Sequence, residues 1–337
     1  MPLTFKLVPG SDWWRNCPEQ HPWALAMDSI AHLEAPADAA ADDYILLDAY
    51  VDRTFTREEP SVQAAYTRPW LGIIHHTFNT TFSSANCVTL FQNPRFLASL
   101  PQCRGLIALS HALASQLRAA LDSANAPFIS VSVLAHPTRA PAKSFDYGAL
   151  LRNPSPYLVQ IGSWMRNLTA ICDLTIRTPN TLRLAKAALQ PSHASGAEHA
   201  SGGYCQERAL SPAQAASSRV TLIPTLDLSA YDDLLSENVV FLNLVDASAV
   251  NTVVECIMRN TPIVVNRLPA LVEVLGATYP GFYDTLAEAT TLLATFRALR
   301  PMPYAMHVHL TRIDKAPLAL SAFAAGFADV LMRAGAS

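Results

Sequence analysis

The sequence predicts an α/β fold built as two successive halves, each with a parallel sheet that helices cover. The length of 337 residues is enough for two domains, since a domain commonly takes about 100–200 residues. Short apolar runs rich in β-forming residues alternate with helical stretches, which is typical of parallel sheets. A proline-rich stretch, 137–156, is predicted to be an interdomain linker, because the alternation restarts immediately after it.

Composition and charge exclude several classes of protein. Half of the residues are apolar, so the chain can bury a large core and global disorder is excluded. The formal net charge is −3 and no long basic run exists, so we expect no nucleic-acid partner. No apolar run reaches the ~18 residues of a transmembrane helix, and residues 1–6 do not resemble a signal peptide. The cysteines are scattered, which fits a reducing compartment. We therefore expect a cytoplasmic protein without a transmembrane segment.

In the first half, four apolar runs are predicted to be buried strands. They cover residues 44–51, 70–74, 105–109 and 128–134. Ser110 is predicted to cap a helix over 111–123, because a serine before an amphipathic run is a common N-cap. Residues 1–43 are expected to be irregular at first, with a surface loop over 35–43.

The second half repeats this alternation. Its predicted strands are 157–162, 181–185, 220–223, 239–244 and 262–266. Its predicted helices are a short one capped by Asp227 or Ser229, then 249–260, 269–275, 284–299 and 316–334. Residues 189–218 are rich in Ser, Ala, Gly, Gln and His and are interpreted as a flexible insertion.

The start of the 249–260 helix is the first candidate binding site. The sequence lacks G-x-G-x-x-G, a P-loop, H-E-x-x-H and G-x-S-x-G, so the usual motif-borne sites are absent. A helix that starts at the carboxyl end of a parallel strand offers free N–H groups to an anion. A diphosphate could bind there without a lysine. The residues of this segment are Asp246, Ser248, Ala249, Asn251 and Thr252. The alternative is that these polar side chains only cap the helix.

Glu255 lies one turn further along the same helix face as Asn251 and Thr252. A carboxylate in that position can accept hydrogen bonds from two vicinal ribose hydroxyls. Alternatively, Glu255 is a surface residue.

A second candidate segment follows the strand that ends at Gly162. A lone arginine such as Arg166 can clamp a phosphate with its fork, and Trp164 could pack against that arginine or stack on a base. The alternative is a surface arginine and a core tryptophan.

The ordered set of motifs resembles the GT-B glycosyltransferases of the bacterial and viral glycan-building type, over about residues 40–300. In the second half the matching residues are D-x-S-A-x-N-T-V-x-E-C-I at 246–257, T-P-I-V-V-N at 261–266, and L-P-A-x-x-E-x-L-G at 268–276. In the first half they are R-P-W-x-G-I-I-H-H-T-F at 68–78, C-x-G-L-I-x-L-S at 103–110, and H-P-T at 136–138.

This resemblance implies two Rossmann-like domains that face each other across a cleft. Residues 1–140 would bind the acceptor, residues 155–315 would bind a nucleotide sugar, and a helix within 316–337 would cross back to the first domain. The implied activity is hexosyl or pentosyl transfer from a nucleotide-diphosphate sugar to a glycan or glycoconjugate, with no metal and no other cofactor. Two other classes stay open: a nucleotide-sugar epimerase or hydrolase on the same fold, and a non-catalytic clamshell that binds nucleotide or sugar.

The resemblance also assigns residues at the donor site. Arg166 is expected to face the donor diphosphate. Glu255 matches the second of two glutamates that mark retaining members, where it typically holds the ribose. The position that matches the first glutamate is Ala247, which slightly favours inversion.

An inverting transfer needs a base that deprotonates the acceptor hydroxyl, and GT-B enzymes usually supply it from the N-terminal domain. His75 and His76 end a predicted strand, where ligands bind, and histidine titrates near neutral pH. His76 is slightly preferred. Asp48 could be the base instead, and Asp52 could be the base, orient a histidine or contact the acceptor. Asn79 is a weaker acceptor-site candidate. Alternatively, the histidines pack or cap and the aspartates form turns.

Overall fold

The computed structural model describes residues 4–16, 22–56, 64–154, 156–174, 182–186, 220–223, 226–298 and 301–336. The chain divides into two compact units, Met1–Arg139 with Ala316–Ser337, and Ala140–Lys315. The proposed insertion 189–218, with its His193, His199 and Cys205, lies outside the described residues. None of the helices in the described part of the chain has both the length and the apolar character that a membrane span requires.

The described strands are β1 (Thr4–Leu7), β2 (Tyr44–Asp48), β3 (Trp70–Ile74), β4 (Cys103–Ala108), β5 (Val131–Val133), β6 (Tyr157–Gln160), β7 (Leu182–Lys186), β8 (Val220–Ile223), β9 (Val239–Leu242), β10 (Ile263–Asn266) and β11 (Phe282–Tyr283). The described α-helices are α1 (Pro22–Ile30), α2 (Val51–Thr56), α3 (Cys87–Gln92), α4 (Pro94–Ser99), α5 (His111–Ser123), α6 (Tyr147–Arg152), α7 (Ala170–Asp173), α8 (Leu228–Glu237), α9 (Asn251–Arg259), α10 (Pro269–Leu275), α11 (Leu286–Ala298), α12 (Pro301–Thr311) and α13 (Leu320–Ala336).

Unit 1 contains a five-stranded sheet in the order β1-β2-β3-β4-β5, and every neighbouring pair is parallel. Helices α2 to α5 pack on one face through a buried cluster that includes Phe55, Leu90, Phe96, Leu117 and Trp70. Because β2 and β3 are adjacent and parallel, the residues that follow them lie at the same edge of the sheet.

The opposite face of this sheet is covered by α1 and α13. The Phe5 ring of β1 lies 5.4 Å from Phe327 of α13, and Trp23 of α1 lies 6.0 Å from Phe323 of α13. All four side chains are buried. The last helix of the chain is therefore part of the core of unit 1.

Unit 2 contains a six-stranded sheet in the order β11-β10-β9-β6-β7-β8, again with parallel pairs. From β6 the chain adds β7 and β8 on one side, and then β9, β10 and β11 on the other side. The strand order therefore reverses between β6 and β9, which is the doubly wound Rossmann arrangement. Ligands of such sheets bind at the carboxyl ends of the strands at this switch point.

The predicted α/β class with parallel sheets is confirmed, but several local predictions are wrong. The interdomain linker predicted at 137–156 contains the boundary between the two units, between Arg139 and Ala140, but it is not irregular throughout, since it contains α6 and buries Phe145 and Leu150. The Phe145 N–H donates to the Arg259 carbonyl, which ties the stretch into unit 2. The predicted strand 44–51 ends at Asp48, because the chain turns there into α2. The predicted strand 128–134 shortens to β5, and Phe128 is 98% exposed.

Candidate functional site

Arg166 lies at the switch point of unit 2. The chain leaves β6 through Gly162, whose φ is +79°, and Met165, whose φ is +56°. Arg166 then forms an isolated antiparallel bridge with Leu244, just after β9. The Val245 N–H donates to the Met165 carbonyl over 2.8 Å. The backbone of Arg166 is therefore held between the two strands where the sheet order reverses.

The guanidinium of Arg166 is buried and not fully paired. Its Nη1 donates to the Trp164 carbonyl over 2.8 Å, and its Nη2 donates to Thr252 Oγ1 over 3.1 Å. Its Nε has no hydrogen-bond partner among the described residues. Burial lowers the pKa of Arg166 to about 10, so the side chain stays charged at neutral pH. An unpartnered buried donor on a cation is expensive, and an anionic ligand would satisfy it.

Glycine is required at position 162 for two reasons. Its positive φ is a conformation that L side chains rarely adopt. A Cβ at this position would also lie 2.7 Å from Arg166 Cζ, well inside contact distance. The Trp164 carbonyl oxygen accepts from Arg166 Nη1, and Trp164 is 38% exposed. Packing of its ring on the arginine or on a base stays a prediction.

The N-cap residue of α9 makes no side-chain capping bond. The helix begins at Asn251, two residues after the predicted start at Ala249, and its N-cap residue is Val250. The Thr252 hydroxyl accepts from Arg166, and Asp246 accepts from the Ala247 N–H. The alternative that a polar residue occupies the N-cap position of this helix is therefore wrong. The helix start keeps its partial positive charge close to the Arg166 guanidinium.

Glu255 is partly buried one turn into α9, so it is not a freely solvated surface residue. Tyr231 of α8 donates its hydroxyl to Glu255 Oε2 over 2.6 Å. Burial and the charge of Glu255 raise the pKa of Tyr231 well above its usual value, so the phenol remains a donor. Tyr231 is not predictable from the sequence, because no local pattern links it to a residue 24 positions away.

In unit 1, Asp52 and His76 meet where β2 and β3 end. Asp52 is fully buried in the first turn of α2. Its Oδ1 accepts from the His75 N–H over 2.8 Å, and its Oδ2 accepts from the His76 N–H over 3.2 Å. The same Oδ2 lies 3.0 Å from His76 Nδ1. Asp52 therefore orients a histidine, and its burial contradicts the expectation that it contacts an acceptor.

The imidazole of His76 lies between Asp52 and a tyrosine. Its Nε2 is 2.8 Å from the hydroxyl of Tyr50, which the sequence analysis also missed. Burial by itself would raise the pKa of Asp52, but the charge of His76 and the hydrogen bonds from His76 and His75 hold that pKa below its usual value. In the neutral tautomer whose Nδ1 carries the proton that faces Asp52, Nε2 is the proton acceptor.

His75 is placed as a packing residue. Its ring lies 4.4 Å from Trp23 and 4.1 Å from Tyr50, measured between ring centroids. Its Nε2 is 2.9 Å from the Ala49 carbonyl oxygen, so that nitrogen is a donor. A nitrogen that donates to a carbonyl cannot also accept a proton. His76 is therefore the better candidate base of the two.

Asp48 and Asn79 hold local turns. Asp48 is fully buried and accepts from the Tyr50 N–H and the Thr54 and Tyr66 hydroxyls over 2.8–3.0 Å. Because Asp48 is fully buried and already accepts from three donors, no substrate hydroxyl reaches it in this structure, against the expectation of a base. Asn79 Oδ1 accepts from the N–H and hydroxyl of Thr81, which is an Asx turn.

Burial raises the pKa of Asp48 from 3.8 to about 6, which predicts a pH-dependent stability. The folded chain holds this proton more tightly than the unfolded chain, so the Asp48 contribution falls as pH rises from about 4 to about 6. The total is about 3 kcal/mol. Asp48→Asn cannot ionise and keeps an oxygen for Tyr50 and Thr54. We expect it to gain stability over the wild type as pH rises from 5 to 7.5, measured by urea unfolding.

The exposed Asp28 provides the control, since Asp28→Asn should follow the wild-type pH dependence. An Asp48→Asn variant whose difference from the wild type is the same at both pH values would contradict this account of the carboxylate.

No group of three His, Cys, Asp or Glu side chains among the described residues could hold a metal ion. Metal independence stays a prediction, which chelation would test.

Sequence and structure comparisons give different results. No protein-family model matches the sequence, and no curated protein matches it significantly. Structural similarity is extensive: sucrose-phosphate synthase from Thermosynechococcus elongatus superposes with a TM-score of 0.60 at 12% identity, over 96% of this chain and 79% of that one. HepE from Anabaena, solved in complex with UDP-glucose, superposes with a TM-score of 0.60 at 13% identity, over 78% of this chain and 72% of that one.

A third similar structure is the UDP-forming α,α-trehalose-phosphate synthase from Burkholderia xenovorans, with a TM-score of 0.57 at 12% identity over 87% of this chain and 74% of that one. Likeness at such low identity establishes the fold alone. The chain has the GT-B fold of glycosyltransferases, built from two Rossmann-like units, as the sequence resemblance predicted.

Proposed function

We propose that this protein is a metal-independent glycosyltransferase. It moves a hexose or pentose from a nucleotide-diphosphate sugar on unit 2 to a glycan or glycoconjugate acceptor on unit 1. The observation that carries the proposal is the buried, incompletely paired guanidinium of Arg166 at the switch point of unit 2. HepE, which shares this fold, was crystallised in complex with UDP-glucose, and a ligand of that chemistry suits such a cation.

The diphosphate would bind to Arg166 and to the start of α9. The guanidinium supplies a full positive charge and an Nε donor without a partner among the described residues. The N-terminus of α9 adds N–H donors and the positive end of its dipole. As the sugar leaves, negative charge grows on the diphosphate, and these fixed charges stabilise it without reorganisation. Gly162, Trp164, Asp246, Ser248, Ala249 and Asn251 remain proposed donor-site residues on the segments beside this cation.

Glu255 would bind the ribose. Tyr231 donates to Oε2 of its carboxylate, and a carboxylate offers about four acceptor sites, so it can also accept from two vicinal hydroxyls. Tyr231 is then a positioning residue, since its hydrogen bond favours one rotamer of the Glu255 carboxylate. The side chain also lies one helical turn beyond Thr252, which contacts Arg166. The spacing suits a nucleoside whose diphosphate extends toward the helix start.

Inversion is proposed because unit 1 offers a base and unit 2 lacks the first glutamate of the pair that marks retaining members. Ala247 occupies the position where retaining members carry a glutamate. His76 has an acceptor nitrogen and an ionised partner, Asp52, on its other side. Such a pair can remove a proton from an acceptor hydroxyl during attack.

A thermal-shift panel of nucleoside diphosphates and nucleotide sugars in EDTA tests the donor site. A ligand at about 100 times its Kd adds about 2.7 kcal/mol of stability, and we expect one nucleotide base to give such a shift. Glu255→Gln and Arg166→Lys should reduce it strongly, because the first loses a charged acceptor and the second loses the fork. Glu273→Gln, on the exposed side of α10, should retain it.

No shift with any nucleotide would overturn the donor assignment, and a shift that needed a divalent cation would overturn metal independence. With the nucleotide known, product NMR of the anomeric proton distinguishes transfer with inversion from retention. Release of free sugar without any added acceptor would point to a hydrolase.

A further inference from the structure

We propose that Tyr50 is the residue that touches the acceptor hydroxyl, and that it passes the acceptor proton to His76. This inference rests on the proposed glycosyl transfer. The three side chains form a chain of polar contacts at the carboxyl ends of β2 and β3. Tyr50 Oη lies 2.8 Å from His76 Nε2, and His76 Nδ1 lies 3.0 Å from Asp52 Oδ2.

The burial of the three side chains sets the direction in which the proton moves. Asp52 is 0% exposed and His76 is 5% exposed, whereas Tyr50 is only partly buried. A substrate hydroxyl cannot reach the imidazole while the phenol is bonded to Nε2. Tyr50 is the outermost member, so the proton enters through its oxygen.

The backbone and ring of Tyr50 are fixed. Its N–H donates to Asp48 Oδ1 over 3.0 Å, and its ring packs 4.1 Å from the His75 ring, measured between centroids. These contacts give Asp48 and His75 a role as positioning residues. They also explain why a buried carboxylate and a packed histidine flank the two groups that carry the proton.

Atoms and electrons balance in the proposed step. The acceptor oxygen attacks the anomeric carbon, and the bond from that carbon to the diphosphate oxygen breaks, with the electron pair leaving on the diphosphate. The acceptor proton moves to Tyr50 Oη as the phenolic proton moves to His76 Nε2. The resulting imidazolium is stabilised by the Asp52 carboxylate, and the phenol is neutral before and after the step.

Tyr50→Phe tests the relay, because it removes one oxygen and keeps the ring that packs on His75. We expect transfer to fall by about 10²–10⁴-fold, the usual loss for general-base assistance. The nucleotide-induced shift should remain near wild type, since it does not depend on this hydroxyl, and the melting temperature should fall only by the cost of one hydrogen bond to His76. Tyr304→Phe, at a 52% exposed tyrosine of α12, is the matched control and should transfer at the wild-type rate.

A second readout does not depend on turnover. In protein labelled with ¹⁵N-histidine, His76 is assigned by its loss in His76→Gln. We expect a proton on Nδ1 and an Nε2 resonance that shifts in Tyr50→Phe, whereas Asp52→Asn should disturb the Nδ1 proton. An Nε2 resonance that does not respond to Tyr50→Phe would overturn the contact on which the relay depends.

The outcomes separate this inference from the proposed function. If the wild type transfers sugar and Tyr50→Phe matches Tyr304→Phe, the relay is overturned and the glycosyltransferase function stands. If the wild type neither binds a nucleotide nor transfers sugar, the function fails and the catalytic role of Tyr50 fails with it. Loss of transfer in Tyr50→Phe, with the nucleotide shift intact and the Nε2 resonance moved, supports the relay.

Discussion

Gly162→Ala is expected to weaken nucleotide binding by about 100-fold or more. The new Cβ would lie 2.7 Å from Arg166 Cζ and 2.9 Å and 3.0 Å from its two Nη atoms. The guanidinium cannot retreat easily, because it is buried and donates to the Trp164 carbonyl and the Thr252 hydroxyl. The positive φ of Gly162 adds about 1–2 kcal/mol for any L side chain. Either Arg166 moves from its position or the turn after β6 does.

Calorimetric titration with the nucleotide identified in the thermal-shift panel measures the effect. Gly148→Ala is the matched control, since a Cβ there meets the flexible and exposed Arg152 side chain at 3.0 Å and its φ is ordinary. The double variant Gly162→Ala/Arg166→Ala should recover part of the lost stability without recovering binding, because it removes the clash together with the phosphate ligand. An affinity of Gly162→Ala within twofold of wild type would contradict the proposed role of Arg166.

Local patterns predicted the elements whose signal lies within one segment. The bounds of β3 and α5 were predicted correctly, because the first is an apolar run that ends at His75 and the second is capped by Ser110. Strand β1 and helix α1 were missed, because tryptophans and prolines interrupt the apolar pattern of residues 1–43. Helix α12 was not predicted; it begins with Pro301 and Pro303, which are tolerated because proline fits a first helical turn.

The same limit applies to the candidate site. Strand ends locate Asp52, His76 and Arg166, because side chains after parallel strands meet at one edge of a sheet. Tyr50 and Tyr231 contact residues 26 and 24 positions away, and no helical or strand period connects them. Their roles depend on the registers and helix positions that only the folded units supply. Asp48 is the opposite case, a residue that the sequence predicts to be catalytic and the structure places in a turn. Its position at a strand end led to the prediction, whereas its carboxylate accepts from three donors of the protein itself.

The buried ion pair between Asp232 and Arg259 is expected to contribute strongly to the stability of unit 2. Asp232 is 2% exposed and Arg259 is 1% exposed. Arg259 donates to the Asp232 carboxylate through Nε and Nη2, and to the Glu255 carbonyl through Nη1. Arg259→Ala would remove the cation that pairs with a buried carboxylate, which costs about 3–5 kcal/mol. Urea unfolding measures this loss.

Two adjacent aspartates of α8, one buried and one at the surface, allow a matched comparison of their effects on unfolding. Asp233 pairs with Lys143 at the surface, so Asp233→Asn should leave the urea midpoint near wild type while Asp232→Asn lowers it. The double variant Asp232→Leu/Arg259→Met removes both charges and should recover most of the stability.

Asp232 follows Tyr231, and Arg259 lies one turn after Glu255, so the ion pair also holds the α8–α9 spacing that the Tyr231–Glu255 hydrogen bond needs. Arg259→Ala should therefore weaken nucleotide binding even under conditions where unit 2 stays folded. Unchanged nucleotide affinity in folded Arg259→Ala would show that α8 and α9 keep their spacing without the pair.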